Sequence, residues 1–200
     1  MRAQRIQTKY TMATGGLCTA ILLLLIAFSS YSTFSKDKEG AVREMQATAS
    51  TLAFQLRAEM EVALDSGRTM AHMLRPVQTS DAMELSRAQS DAMLRSVLLE
   101  NPSFLGVYTL WEPQAFDGLD QEFKNSTGHD DTGRYIPYWV RDDNGNPLVE
   151  PLLSYEVEGD GDYYQIPKKT KEEAVLEPYI YPIQGKDVLL TSLVTPILVD

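Results

Sequence analysis

YTMATGGLCTAILLLLIAFSSYSTFS, residues Tyr10–Ser35, carries no charged side chain, and Leu17–Phe28 within it is almost wholly apolar. About 20 apolar residues cross the hydrocarbon core of a bilayer as a helix, so this run is long enough to span with some tilt. Arg2, Arg5 and Lys9 precede it, and no acid occurs before Lys36. By the positive-inside rule such a tail stays in the cytoplasm and everything after Lys36 is delivered outside. A cleaved signal peptide is the rival, because Leu17–Phe28 is also the length of a signal h-region. Ser29–Ser35 is a poor small-x-small cleavage site and a helical pattern follows at once, which favours the span. The expected division is a cytoplasmic tail over 1–10, a transmembrane helix over 11–34, a long stalk helix over 35–78 and a folded part over 79–200.

All 28 acids lie beyond Ser35, with all but three of the 18 Lys and Arg, which leaves the external part at about −13. That charge disfavours nucleic acid and anionic lipid as partners. An acidic surface favours cationic ligands, or serves solubility alone, and net charge does not choose between them. Cys18, the single cysteine, lies in the apolar run, so the exterior holds no disulfide and no thiolate chemistry. His72 and His129 are too few for a His-rich zinc site, and no metal or cofactor is called for. The external part, about 165 residues, suffices for one ordinary domain.

Beyond the run, Val42, Met45, Ala49, Leu52, Leu56, Met60, Ala63, Gly67, Met70 and Leu74 recur at steps of three and four. That spacing predicts a long amphipathic helix with a coiled-coil-like seam, a stalk able to pair in parallel as a homodimer. The alternative is one packing helix among several. Pro76 ends it. Ser80-Asp81 is the expected cap of a second helix to about Glu100, closed by Asn101-Pro102. After that the period changes. Phe104–Trp111, Tyr135–Arg141 and Val188–Leu193 are aromatic and β-branched, with turn signals at Asp143-Asn144-Gly145 and Gln184-Gly185-Lys186. Helices first and antiparallel hairpins second imply an α+β domain. Leu193–Asp200 is an apolar extended run with no segment behind it to pair with, which reads as a domain cut short.

Three motifs carry less than they promise. Asp142-x-Asn144-x-Asn146 opens like a calcium loop, but Pro147 stands at the glycine position and Leu153 at that of the bidentate Glu, so a hairpin turn fits better. Asn125-Ser126-Thr127 fits a glycosylation acceptor and implies an exposed loop. His129-Asp130-Asp131 has no nucleophile or oxyanion element nearby and reads as a polar loop. A membrane-anchored hydrolase using Asp130, Asp131, Asp160 and Asp162 is the reading from another class.

The sharper signal is aromatic crowding. Tyr135, Tyr138, Trp139, Tyr155, Tyr163, Tyr164, Tyr179 and Tyr181 are interleaved with Glu156, Glu158, Asp160 and Asp162. Ring faces attract an organic cation and exclude water, and carboxylates add charge-assisted hydrogen bonds to an ammonium. Ordinary tyrosines of a half-buried sheet would produce the same composition.

The blocks WEPQAFDGLD (Trp111–Asp120), GRYIPYWVR (Gly133–Arg141), DYYQIPK (Asp162–Lys168) and EPYIYPIQGKDVLLTSLVTPI (Glu177–Ile197) together resemble the extracytoplasmic double-Cache sensor domain of bacterial methyl-accepting chemotaxis proteins. The resemblance covers roughly Lys36–Asp200. It implies a PAS-like antiparallel sheet with a ligand cavity in a membrane-distal module occupying 79–200, and a parallel homodimer through the long helices. It also implies an inner-membrane location with the sensor outside, and chemotaxis partners reached through a cytoplasmic part beyond this chain. Amino-acid-binding members carry an Arg two positions before a Trp-Tyr pair, and an Asp four residues before the glycine of the next hairpin. Here the pair is Tyr163-Tyr164, the Arg position is Gly161, and the Asp position is Tyr181. Both halves of the amino-acid clamp have changed. The remaining pattern is similar to the amine- and polyamine-sensing branch, in which a further aspartate falls after Asp200.

The expectation is therefore the sensor half of a chemoreceptor that catalyses nothing and takes a small amine or amino-acid-like ligand. Its candidate ligand residues are Tyr138, Trp139, Asp160, Asp162, Tyr163, Tyr164, Tyr179 and Tyr181. The same module is joined elsewhere to histidine kinases or diguanylate cyclases, which is the nearest alternative.

Overall fold

The structure is a computed structural model that describes residues 2–79 and 84–199, apart from the side chains at 2–11, 13–14, 34–37 and 39. The chain separates into two compact units, Met1–Arg57 and Ala58–Asp200. Helix α1, Arg2–Leu74, contributes to both.

In the first unit, Gly15–Thr33 has a mean hydropathy of 1.8 with no part buried by the protein, and is long and apolar enough to cross a membrane. Thr19, the hydroxyl in its apolar stretch, donates to the carbonyls of Gly15 and Gly16 at 3.0 and 2.9 Å, so it asks nothing of a lipid environment. Val42, Met45, Leu52 and Leu56 of the seam are exposed here.

In the second unit the same seam is used differently. Leu74 is buried with Trp111, Phe116 and Tyr135, Met70 packs on Leu94 and Leu98, and a Cβ on Gly67 would lie 3.1 Å from the Thr195 hydroxyl. Arg68 ties this stretch of α1 to the end of the fold by a two-pronged pair with Glu173 at 2.6 and 2.7 Å. The α-helix stops at Leu74 and a short 3-10 turn, Arg75–Gln78, carries Pro76. That is where sequence placed the stop.

The expected cap at Ser80-Asp81 lies outside the described residues, since 80–83 are not among them. The second helix, α2, is Arg87–Glu100, and its cap is Ser86. Ser86 and Gln89 form a reciprocal box, the Ser86 N–H donating to the Gln89 side chain at 2.9 Å. The described helix starts at Arg87, with residues 84–86 ahead of it non-helical. At the other end Asn101 donates its side-chain amide to the Val97 carbonyl at 2.8 Å.

The strands are shorter than the aromatic runs suggested. β1 is Gly106–Tyr108, β2 Pro137–Arg141 and β3 Pro147–Pro151, joined as an antiparallel sheet in the order β1-β2-β3. Asp142 builds the turn between β2 and β3, accepting from the N–H groups of Asn144 and Asn146, both at 2.8 Å. The calcium-like motif is a hairpin turn. A one-turn helix, α3 (Asp120–Phe123), precedes β2. Buried Arg87 joins these parts, donating to Asp117 at 2.8 and 2.9 Å, Asp120 at 2.8 Å and the Gly133 carbonyl at 2.7 Å.

DYYQIPK forms a helix, α4 (Asp162–Thr170), so Tyr163 and Tyr164 are not strand residues. Asp162 in the first turn and Lys168 and Lys169 in the last suit the helix dipole. β4 (Ala174–Val175) pairs with β7 (Leu193–Val194), and β5 (Tyr179–Ile183) with β6 (Lys186–Leu190). Gln184 and Gly185 both have positive φ, 51° and 73°, as a two-residue hairpin turn of the primed type requires. The expectation that Leu193–Asp200 would lack a partner is corrected in its first two residues, which the upstream β4 serves.

Leu94 and Leu98 of α2 cover one face of the sheet at Val107. Ile136, Tyr138 and Val140 belong to the larger cluster, with Tyr163 of α4, Tyr181 and Ile183 of β5 and Val194.

Candidate functional site

Successive residues of a strand point to opposite faces, and that rule divides the aromatic candidates. Tyr138 faces the large cluster, whereas Trp139 packs on the α2 side with Leu94, Leu98 and Val107. The Trp139 indole donates to Asp91 at 3.2 Å, and the Tyr135 hydroxyl donates to the same oxygen at 3.0 Å. Trp139 is therefore separated from the tyrosines it was grouped with.

The tyrosines that do converge are Tyr138, Tyr163, Tyr179 and Tyr181, joined by Tyr108 of β1. Their rings meet edge to face, with centroids 5.7 Å apart for Tyr108–Tyr163 and Tyr163–Tyr181, and 5.8, 6.1 and 6.3 Å for Tyr138–Tyr181, Tyr108–Tyr138 and Tyr179–Tyr181. Each such pair adds about 0.5–1.5 kcal/mol beyond the area it buries. Gly106 makes room for this set, because a Cβ there would lie 2.4 Å from the Tyr138 ring.

Most of the hydroxyls are committed to the fold. Leu153 is held by two of them: Tyr163 donates to its carbonyl at 2.5 Å and Tyr181 accepts from its N–H at 2.8 Å. Tyr179 and Ser192 share a hydrogen bond of 2.8 Å. The Tyr108 hydroxyl is enclosed without a hydrogen bond, although Ser192 is its neighbour. Burial pushes the hydroxyls of Tyr108, Tyr138, Tyr163 and Tyr181 upward, so these rings stay neutral.

Tyr164 faces a different environment. Its hydroxyl donates to Glu112 at 2.7 Å and accepts from Arg134 and Lys168, both at 3.0 Å, which uses its donor and both lone pairs. The Arg134 guanidinium lies 4.8 Å over the Tyr155 ring and 5.5 Å over Tyr164, and the Lys168 ammonium 4.8 Å over Tyr164. Arg134 also donates to the Trp111 carbonyl at 3.0 Å and to Glu156 at 2.7 Å. The protein's own cations thus occupy the faces that an organic cation would use.

The acidic candidates lie beside α4 rather than within the tyrosine set. Asp160 is exposed in the turn ahead of the helix. Asp162, the first residue of α4, accepts from the Gly159 N–H at 3.0 Å. Neither bonds a tyrosine hydroxyl among the described residues. Gly161 between them is tightly confined, since a Cβ would approach the Ser154 carbonyl oxygen to 2.5 Å and the Tyr155 backbone to 2.7 Å. This loop has no room for an arginine at that position.

Asp130 is fully engaged as a structural acceptor. Burial raises its pKa, but hydrogen bonds from Thr132, Tyr155 and the Gly133 N–H outweigh that and hold it below the usual range. Asp131 is exposed, and no group of three or more possible metal ligands gathers among the described residues. His129 stacks on Phe123 at 5.0 Å and takes part in the loop through Ser126 and Thr127.

Two residues of the tyrosine face escaped the sequence reading, Tyr108 and Glu150. Glu150 pairs with Tyr138 in the β2–β3 register and so shares its face. The signal was present: Tyr138 and Glu150 are equally far from Asn144 at the centre of the hairpin.

No family model matches the chain. It is 25% identical over 229 residues to the methyl-accepting chemotaxis protein TlpQ of Pseudomonas aeruginosa, a match covering 100% of this chain and 32% of TlpQ. Among solved structures it is similar to the extracellular domain of mmHK1S-Z3, assigned as a histidine kinase, at 33% identity and a TM-score of 0.56, over 70% of this chain and 52% of that one. The related mmHK1S-Z2 domain gives 32% identity, a TM-score of 0.56 and coverage of 71% and 55%. The structure named methyl-accepting chemotaxis protein X shares the fold, with a TM-score of 0.64 at 24% identity over 75% of this chain and 54% of that one. The chain spans about a third of TlpQ and about half of each of these solved chains. The resemblance read from the four sequence blocks is thereby shown: the chain is related along its length to a chemoreceptor and folds like extracellular sensor domains.

Proposed function

We propose that the chain is the ligand-sensing part of a chemoreceptor, anchored by Gly15–Thr33 in a bacterial inner membrane with 79–200 outside, and that it binds a small amine or organic cation. The carrying observation is the face formed by Tyr108, Tyr138, Tyr163, Tyr179 and Tyr181, whose rings burial keeps neutral, on the side of the sheet away from α2. Such rings attract an ammonium and exclude water. Asp160 and Asp162 supply negative charge at the start of α4. Binding that favours one packing of α4 and the β5–β6 hairpin on the sheet would bias the attached long helix, by no more than the ligand's differential affinity for the two packings.

The test is calorimetric titration of the chain in lipid nanodiscs with putrescine, histamine, choline and each of the twenty amino acids. Amines should bind and raise Tm with concentration. Binding of ordinary amino acids with no response to amines would overturn the assignment. Turnover of ester, phosphate or glycoside substrates would point to the hydrolase reading instead.

The likeness to mmHK1S-Z3 supports a second output, the sensor half of a histidine kinase. The exposed seam at Val42, Met45, Leu52 and Leu56 supports a parallel homodimer through 35–78. Ala49→Cys or Leu52→Cys, introduced singly with Cys18→Ser, should crosslink efficiently. Efficient crosslinking only from outward positions such as Arg43→Cys would move the seam.

A further inference from the structure

We propose that Glu150 is the counter-ion of the ligand's ammonium group, an inference that rests on the amine-binding reading above. The residue comes from β3, outside every acidic position that sequence pointed to. It stands directly across the ladder from Tyr138, and residues so paired present their side chains on one face of the sheet. Its negative charge adds to the upward push on the hydroxyls of Tyr138 and Tyr181, after burial as the main cause.

Its own bonding is thin. The two carboxylate oxygens share one donor, the Gln184 N–H, at 3.3 Å each, beyond the usual range for an N–H···O bond. An ionised carboxylate can accept about four such bonds. No cation among the described residues pairs with it. Lys186, the cation of the neighbouring hairpin, is held by Asp143 at 2.6 Å. Half-burial without a partner raises the Glu150 pKa, against only a weak lowering from Gln184. The contrast with the other carboxylates near the tyrosines is sharp, since Glu112 and Glu156 already hold Lys168 and Arg134. A primary ammonium offers three donors and a full charge, which suits a carboxylate with free acceptor sites beside neutral rings.

Glu150→Gln removes the charge and keeps an acceptor for the Gln184 N–H. In the nanodisc-bound chain its putrescine Kd should rise about ten- to a hundred-fold, while Tm stays equal or rises. Asp160→Asn and Asp162→Asn, measured beside it, should change Kd less. A Glu150→Gln Kd within twofold of the parent, with putrescine still bound, overturns the counter-ion and leaves amine sensing standing. Failure of the parent chain to bind putrescine, histamine or choline overturns amine sensing itself. A variant-free measurement covers the case in which Glu150→Gln does not fold: the carboxyl carbon resonance of Glu150 in the parent should titrate at lower pH with saturating putrescine than without. An unmoved titration overturns the proposal.

Discussion

Tyr163 and Tyr164 are neighbours in sequence and opposites in chemistry. Tyr164, on the Arg134 side of α4, sits among paired charges that the protein supplies itself. Tyr163, on the sheet side, sits among the neutral rings of Tyr108 and Tyr181. Adjacent residues of a helix point about 100° apart, so one dipeptide serves a structural ion network and a candidate ligand face. Aromatic rings beside acids do not identify a cation site until the protein's own cations have been assigned.

Substitutions on both faces test that contrast, beginning with the largest expected effect. Arg134→Met should destabilise the fold by about 2–4 kcal/mol in urea unfolding, because the Trp111 carbonyl and the Tyr164 hydroxyl lose a buried donor. Amine affinity should shift less than about threefold. Loss of affinity with unchanged stability would exchange the roles of the two faces.

Gly161→Ala should cost about 1–3 kcal/mol through collision with the Ser154 and Tyr155 backbone. Gly161→Arg should do at least as much damage without conferring amino-acid binding in the calorimeter. A stable Gly161→Arg chain that binds amino acids would show that this loop can open.

Tyr181→Phe should cost about 1–2 kcal/mol by leaving the Leu153 N–H without its acceptor. Adding Tyr163→Phe should give less than the sum of the two single losses, since both hydroxyls hold the same peptide segment. Full additivity in thermal melts would separate the two rings as independent supports.

The smallest effects are opposite in sign. Burial acts upward on Glu112, but hydrogen bonds from Tyr164 and Lys168 prevail and lower its pKa. Its contribution to stability is therefore present above the ordinary carboxylate pKa and is lost as pH falls through the depressed folded value. Glu112→Gln should cost under about 1 kcal/mol at neutral pH, because the pair with Lys168 is half exposed. The Glu150 pKa is raised by burial, so its charge opposes folding at neutral pH and that penalty is relieved on acidification through the raised value. Glu150→Gln should leave the ligand-free chain slightly more stable at pH 7 and unchanged in strong acid. Urea midpoints followed from pH 7 to acid check both signs.

Local composition made much of the fold legible. A stretch able to cross a membrane needs only length and lack of charge, Pro76 stops a helix by its own ring, and Asp142 to Gly145 specify a turn through their side chains and one positive φ. The seam at alternating steps of three and four was visible as well. Its division into an exposed stretch at Val42–Leu56 and a packed stretch ending at Leu74 was not, because the same spacing suits a partner helix or a core. Capping was read at Ser80-Asp81, whereas the reciprocal bonds of Ser86 and Gln89 mark the start of the described helix.

The sequence by itself determined the apolar N-terminal run, the α+β order, both hairpin turns and the acidic, tyrosine-rich character of the folded part, since each follows from local pattern or composition. Only the tertiary structure decided which tyrosines converge, that Trp139 turns away, and that Asp162 serves a turn. It also brought Arg134 and Lys168 onto Tyr164 and set Glu150 across from Tyr138 with no cation among the described residues paired to it. The physical reason is that charge pairing and face sharing depend on strand register and helix placement between residues distant in the chain. Composition records which groups are present, and packing settles which of them are already neutralised.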